Sequence, residues 1–211
     1  MSAGRLPITD FRISPEDINS MEPISFDGSV TVVNNEDTAE NAFNVLFAEK
    51  IIGFDTESRP SFIKGRHYPV SIVQLATLNQ AFIFQIKYTG FLDGLSDLLS
   101  SAEIYKVGVG VDDDIRRLKE LRVFNPASFI DLSAMARKKG LQQSGAKALT
   151  ARYLGKKLVK SAQKTNWAKQ ELTQRQIQYA ATDAWICLHI LEPLQRDNTD
   201  YFSMAKKESE D

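Results

Sequence analysis

Apolar positions along the chain gather first into short clusters bounded by turn residues and then into longer stretches with helical spacing. VTVV at 30–33, IIGFDTE at 51–57, VSIVQLAT at 70–77, AFIFQI at 81–86, IYKVGV at 104–109 and SFIDL at 128–132 read as strands. Only Leu78, Asn79 and Gln80 separate the second pair of long clusters, which predicts an antiparallel hairpin there. Helical spacing fills the intervals: Thr38 to Ala48, with Thr38 as cap and Ala42, Val45 and Leu46 on one face, then Phe91 to Leu99, Val111 to Leu121, Ser144 to Leu154 and Thr173 to Leu191. Strands first and strand–helix alternation afterwards predict an α/β domain, a mixed sheet flanked by helices. Residues 1–28 are polar and proline-dotted, and are expected to form an N-terminal arm, packed on the domain or partly disordered. The folded domain is expected over 29–196 and a flexible tail over 197–211.

Composition changes this picture little. A chain of 211 residues with 43% apolar and 25% charged residues suits one sizeable domain with its own core. No apolar run approaches the ~18–20 residues that span a bilayer, and the N-terminus has no apolar stretch that would serve as a signal peptide. The single cysteine, Cys187, lies among apolar residues and has no internal disulfide partner. A cytoplasmic protein that is not secreted is therefore expected, a nuclear one being admissible in a eukaryote, with Cys187 a small buried hydrophobe.

Charge changes it more. The net charge is −1, yet from Leu132 to Gln170 there is no acidic residue, while Lys and Arg occur at 137, 138, 139, 147, 152, 156, 157, 160, 164 and 169. An imbalance of this size points to a polyanion on one side of the molecule. A merely solvated basic face is the alternative.

The acids concentrate elsewhere, at three places. Asp55 and Glu57 are two apart on a strand and share one face. Like charges side by side at the end of an apolar strand are costly unless a cation lies between them, and carboxylate oxygens suit hard divalent ions. Two solvated acids at an exposed strand end would also explain the pair. Tyr179 and Asp183, in YAATDAW, are four apart and stack on one helix face, beside the small residues Ala180, Ala181 and Ala184. The third place is VDDDIRRL, where three aspartates open a helix. Asp112 reaches Arg116 and Asp113 reaches Arg117 at the spacing of surface ion pairs, whereas Asp114 shares the stripe of Leu118 and Leu121. An acid on the buried stripe needs a partner, which singles out Asp114. GVGVDD is no dinucleotide fingerprint, because Asp113 stands where a third glycine would meet the pyrophosphate.

Taken together, Asp55, Glu57, Asp114 and Asp183, with Tyr179 four residues before the last, strongly resemble the motifs of the DEDD superfamily of 3′–5′ exonucleases in its tyrosine-bearing branch. NWAKQELTQRQIQYAATDAW (166–185) looks most like the exonuclease domain of Werner-type proteins and less closely like ribonuclease D. The resemblance also favours Asp114 among the three aspartates, six residues after Gly108. It departs from the Werner-type pattern at Arg116, where those domains usually carry an aromatic. It implies a ribonuclease H-like fold with a five- to six-stranded sheet, and two divalent metal ions, Mg²⁺ or Mn²⁺. Asp55 would bridge both ions, Glu57 and Asp183 would complete one site and Asp114 the other, with Tyr179 orienting the water and the scissile phosphate.

The implied partner is a nucleic acid with a free 3′ end, DNA favoured over RNA, cut to nucleoside 5′-monophosphates. Lys147, Arg152, Lys156, Lys157 and Lys160 of the acid-free segment would track its phosphates, joined by Lys64, Arg66 and His67 of the loop KGRHYP. Trp167 is a candidate base-stacking platform, with core packing as its alternative. No membrane partner is expected, and a monomer is admissible. A catalytically idle nucleic-acid-binding module on the same fold is the competing expectation.

Overall fold

In the computed structural model, which describes residues 12–199 and 201 apart from 62, 64 and 66, the strand clusters form one six-stranded sheet. The elements in chain order are α1 (Pro15–Ser20), β1 (Pro23–Ile24), β2 (Ser29–Val33), α2 (Glu36–Leu46), β3 (Ile51–Ser58), β4 (Val70–Ala76), β5 (Gln80–Gln85), α3 (Ile86–Thr89), α4 (Asp93–Ser100) and β6 (Tyr105–Gly108). They continue with α5 (Val111–Leu121), β7 (Phe129–Asp131), α6 (Leu132–Lys138), α7 (Ala146–Leu149), a π-helical turn (Thr150–Leu154), β8 (Lys157–Leu158) and α8 (Gln174–Arg196). The sheet order is β2-β5-β4-β3-β6-β7; β4 runs antiparallel to its neighbours β3 and β5, and the other pairings are parallel. The expected hairpin joins β4 and β5. The fold is ribonuclease H-like, a mixed sheet between two helical layers.

Alternation along the strands assigns each residue a face. Phe54, Val73, Leu75, Phe82 and Phe84 point to the layer of α2, α4 and α5, where they pack with Leu46, Leu98 and Leu118. The opposite face carries Gly53, Asp55 and Glu57 and lies under α8. A Cβ on Gly53 would stand 2.0 Å from the Ala184 carbonyl oxygen, so only glycine admits α8 this close to the sheet. That contact fixes the height of the helix above β3.

Several boundaries differ from the sequence expectation for local reasons. α2 starts at Glu36 because Asn35, not Thr38, is the cap: its side chain accepts from the Thr38 N–H while the Thr38 hydroxyl reaches back. Residues 144–154 are not one α-helix but α7 followed by the π-helical turn. α6 is an extra helix inside the basic segment, opened by Asp131, whose carboxylate accepts from the N–H groups of Ser133 and Ala134. α8 runs past Pro193 to Arg196; the proline forfeits one bond of the ladder near the helix end, too little to stop it.

Residues 12–24 pack on the domain. Ile13, Ile18 and Met21 bury against Ala151, β1 pairs with β8, Lys157 Nζ donates to the Asn19 carbonyl at 2.7 Å, and Lys156 forms an ion pair with Glu22. At the other end Tyr201 is buried, and its hydroxyl, like that of Tyr153, donates to Asp197 at 2.7 Å. Among the described residues no helix is long and apolar enough to cross a membrane.

Candidate active site

Asp55 and Glu57 point from β3 toward α8, which answers with Tyr179 and Asp183 one turn apart. These four line a cavity of about 310 Å³ whose walls also include Lys160, Gln163, Val109 and Cys187. Asp183 is only 5% exposed, and its Oδ1 and the Tyr179 hydroxyl, both buried, meet no partner at hydrogen-bond geometry. The hydroxyl is nevertheless close enough to favour the ionised forms of Asp183 and Glu57.

Burial and mutual repulsion dominate the electrostatics. Burial pushes the Asp55 carboxyl well above the usual carboxylate range, and the charges of Asp183, Asp114 and Glu57 push it further. Burial likewise raises Glu57 to about 8, reinforced by Asp183 and opposed by Lys160 and Tyr179. Asp183 is raised by burial against the pull of the same Lys160 and Tyr179. The Tyr179 phenol is raised too, by burial and then by Asp183, so it keeps its proton and remains a donor.

Asp114 stands slightly apart. Gly110, at φ 77°, turns the chain from β6 into α5 and sets the three aspartates in the first turn. Asp114 faces the sheet, as the stripe argument predicts, but it meets Thr56, which projects from β3 to the face opposite Asp55. The Thr56 hydroxyl donates to its carboxylate. Burial raises Asp114 to about 6, the Thr56 bond acting against it. Its charge is felt at Asp55 and Glu57, yet it is not among the cavity-lining residues. Thr56 gave no sequence signal of its own; the strand alternation that paired Asp55 with Glu57 also sent Thr56 to the other side.

The flanking aspartates need correction. Asp113 pairs with Arg116, not Arg117, and Arg116 also reaches Glu120 at 3.3 Å; both lie on the solvent face. Arg117 turns inward instead, donating to Ser58 Oγ and to the Tyr68 carbonyl, each at 2.7 Å. It thereby ties α5 to the end of β3 and to the loop that follows.

The candidate substrate contacts divide. Lys160 lines the cavity, His67 is exposed and Lys147 half-buried. Arg152 is 6% exposed, its guanidinium 5.1 Å from the centre of the Tyr201 ring, and cannot track a phosphate chain at the surface. Trp167 is 1% exposed against Tyr179 with its indole N–H on the Gln163 carbonyl, so it packs and does not stack on bases. Lys156 and Lys157 hold the N-terminal segment. Lys64 and Arg66 lie outside the described residues.

In kind, these donors suit a hard divalent cation: buried, mutually repelling carboxylates, one with an orphaned oxygen. Among the described residues no three of them converge on a single ligating point.

Comparison with known proteins places the chain in a family. A family model described as 3′–5′ exonuclease matches residues 30–198. The bifunctional 3′–5′ exonuclease/ATP-dependent helicase WRN of Mus musculus is 33% identical over 168 residues, covering 75% of this chain and 12% of that protein. A 3′–5′ exonuclease of Arabidopsis thaliana is 32% identical over 165 residues, covering 75% of this chain and 56% of its own. The crystal structure of Trypanosoma brucei RNase D in complex with RNA U12 superposes with a TM-score of 0.74 at 18% identity, over 88% of this chain and 70% of that one. The chain thus spans little over half of one curated relative and a small part of the other. With its matched region running from β2 to the end of α8, the chain belongs to the 3′–5′ exonuclease family.

Proposed function

We propose that this protein is a metal-dependent 3′–5′ exonuclease that hydrolyses the terminal phosphodiester bond of a nucleic acid and releases nucleoside 5′-monophosphates. The observation that carries the reading is the partly open cavity lined by Asp55, Glu57, Asp183 and Tyr179, with the charge of Asp114, outside that lining, felt at Asp55. Two divalent cations, Mg²⁺ or Mn²⁺, would be held by Asp55, Glu57 and Asp183 and, on the far side, by Asp114. Bound there, they supply charge stabilisation to the attacking and leaving oxygens and lower the pKa of bound water.

The chain's own groups do the rest. Tyr179, protonated and without a hydrogen-bond partner, donates to the attacking water or to a non-bridging phosphate oxygen. Lys160, on the cavity wall, holds Glu57 and Asp183 toward their ionised forms and offers the phosphate a counter-charge. Arg117 keeps the loop after β3 against α5. The Werner-like string leans toward DNA, whereas one solved relative holds RNA. The substrate class therefore stands as nucleic-acid 3′ ends, DNA first.

The test is a time course on matched 5′-labelled DNA and RNA with Mg²⁺, with Mn²⁺ and with EDTA. A ladder shortening one nucleotide at a time, abolished by EDTA, is expected. Tight, chelator-insensitive binding without any product would establish the idle module instead.

A further inference from the structure

Buried polar side chains outside the cavity are few, and most are satisfied. Lys106 Nζ donates to the Ser101 and Ile104 carbonyls at 2.7 and 2.8 Å, and Gln85 Nε2 donates to those of Lys169 and Gln170, both at 3.1 Å, leaving only its Oε1 without a partner. Gln74 is different. It is 1% exposed, in the middle of β4, and neither its amide nitrogen nor its amide oxygen has a partner. A buried amide left wholly unpaired is strongly disfavoured relative to an apolar side chain of the same size, so its presence calls for a use.

Register supplies one. Gln74 lies directly across from Asp55 on β3 and from Ile83 on β5, and so shares the face that carries the acids. Its surroundings on that face are apolar: Ile72 and Ile83 pack with Tyr179 and Ala180, and Ala76 and Ala81 pack with Ala184. Directly opposed residues have their Cβ atoms ~4.5–5.5 Å apart, within reach of an amide on a two-carbon stem. Gln74 does not line the cavity; Asp55 does. The amide therefore stands behind the carboxylate, on the side away from substrate.

We propose that Gln74 is a positioning residue for Asp55: its Nε2–H donates to one carboxylate oxygen of the ionised acid and leaves the other turned to the cavity and its cation. An N–H donor favours the ionised form of a carboxylate and fixes its plane. The inference rests on reading Asp55 as a metal ligand.

The experiment compares wild type with Gln74→Met, which keeps the length and removes the amide, and with Gln74→Leu. Mn²⁺ binding is followed without nucleic acid by electron paramagnetic resonance, beside kcat and KM for an oligonucleotide and the thermal midpoint in EDTA. Expected are an unchanged or raised midpoint, Mn²⁺ affinity weakened ~10-fold or more, and a lower kcat at unchanged KM. Mn²⁺ binding and turnover equal to wild type in either folded variant would overturn the proposal, and misfolding of both would assign Gln74 to packing and overturn it too. Mn²⁺ binding by a wild type that cleaves nothing refutes the exonuclease reading, while the isotherms still decide Gln74. A wild type that binds no Mn²⁺ refutes both.

Discussion

Glu57→Gln should stabilise the metal-free protein at neutral pH while removing activity. The Glu57 carboxyl is pushed up to about 8 from 4.5, chiefly by burial and then by Asp183. A carboxyl raised on folding binds more protons in the folded than in the unfolded chain between those two values. Stability is therefore full below about pH 4.5 and falls as pH rises toward 8. At pH 7 the unfolded side chain is ionised and the folded one mostly protonated, which costs ~3 kcal/mol at 1.36 kcal/mol per unit, or ~2 after allowing for screening at the partly open cavity. Glutamine keeps the shape and escapes that cost. For a chain of this size ~2 kcal/mol is worth ~4–8 °C in Tm. The assay is thermal unfolding in EDTA from pH 4 to 9 for both proteins. The difference should vanish near pH 4, grow to pH 8 and then level off, and added Mn²⁺ should narrow it by stabilising wild type more. A variant less stable than wild type at pH 7, or a gap indifferent to pH, would show that the acids do not strain the unloaded fold.

Other outcomes follow from single contacts. Asp114→Asn should lower kcat by ~100-fold or more, whereas Asp112→Asn and Asp113→Asn stay within a few-fold of wild type in the same ladder assay. Gly53→Ala sets a methyl group against the Ala184 carbonyl and should cost ~1–3 kcal/mol in urea unfolding. Lys160→Ala removes the charge that favours ionised Glu57 and Asp183, so the acid limb of the kcat/KM profile should move to higher pH. Arg117→Ala loses its bonds to Ser58 and Tyr68 and should cost ~1–3 kcal/mol, with hydrogen exchange accelerating first in the loop after β3.

Strand alternation and helical spacing were enough to locate the acids, because each rule concerns neighbours along one element. Asp55 and Glu57 share a face by the period of two, Tyr179 and Asp183 by the turn of the helix, and Asp114 is set apart from Asp112 and Asp113 by the same turn. What stayed hidden involves partners from different elements. Thr56 meets Asp114 across 58 residues, and Arg117, matched to Asp113 by spacing, finds a carbonyl 49 residues away. Charge runs mislead in a related way. Arg152, Lys156 and Lys157 are basic in sequence but are spent on Tyr201, Glu22 and Asn19, contacts that composition cannot foresee. Gln74 is invisible for the opposite reason: a lone glutamine in an apolar strand shows no period of its own.

The pairing of β1 with β8 bears on where this domain physically begins. The family model matches from residue 30 onward, after α1 and β1. Yet those upstream residues grip Lys156 and Lys157, and Lys160 of the cavity wall is only three positions further on. A recombinant fragment cut at residue 30 would keep all four site acids and lose the brace on the strand leading to that lysine. The packed unit reaches back at least to Ile13, upstream of the first residue of the family model.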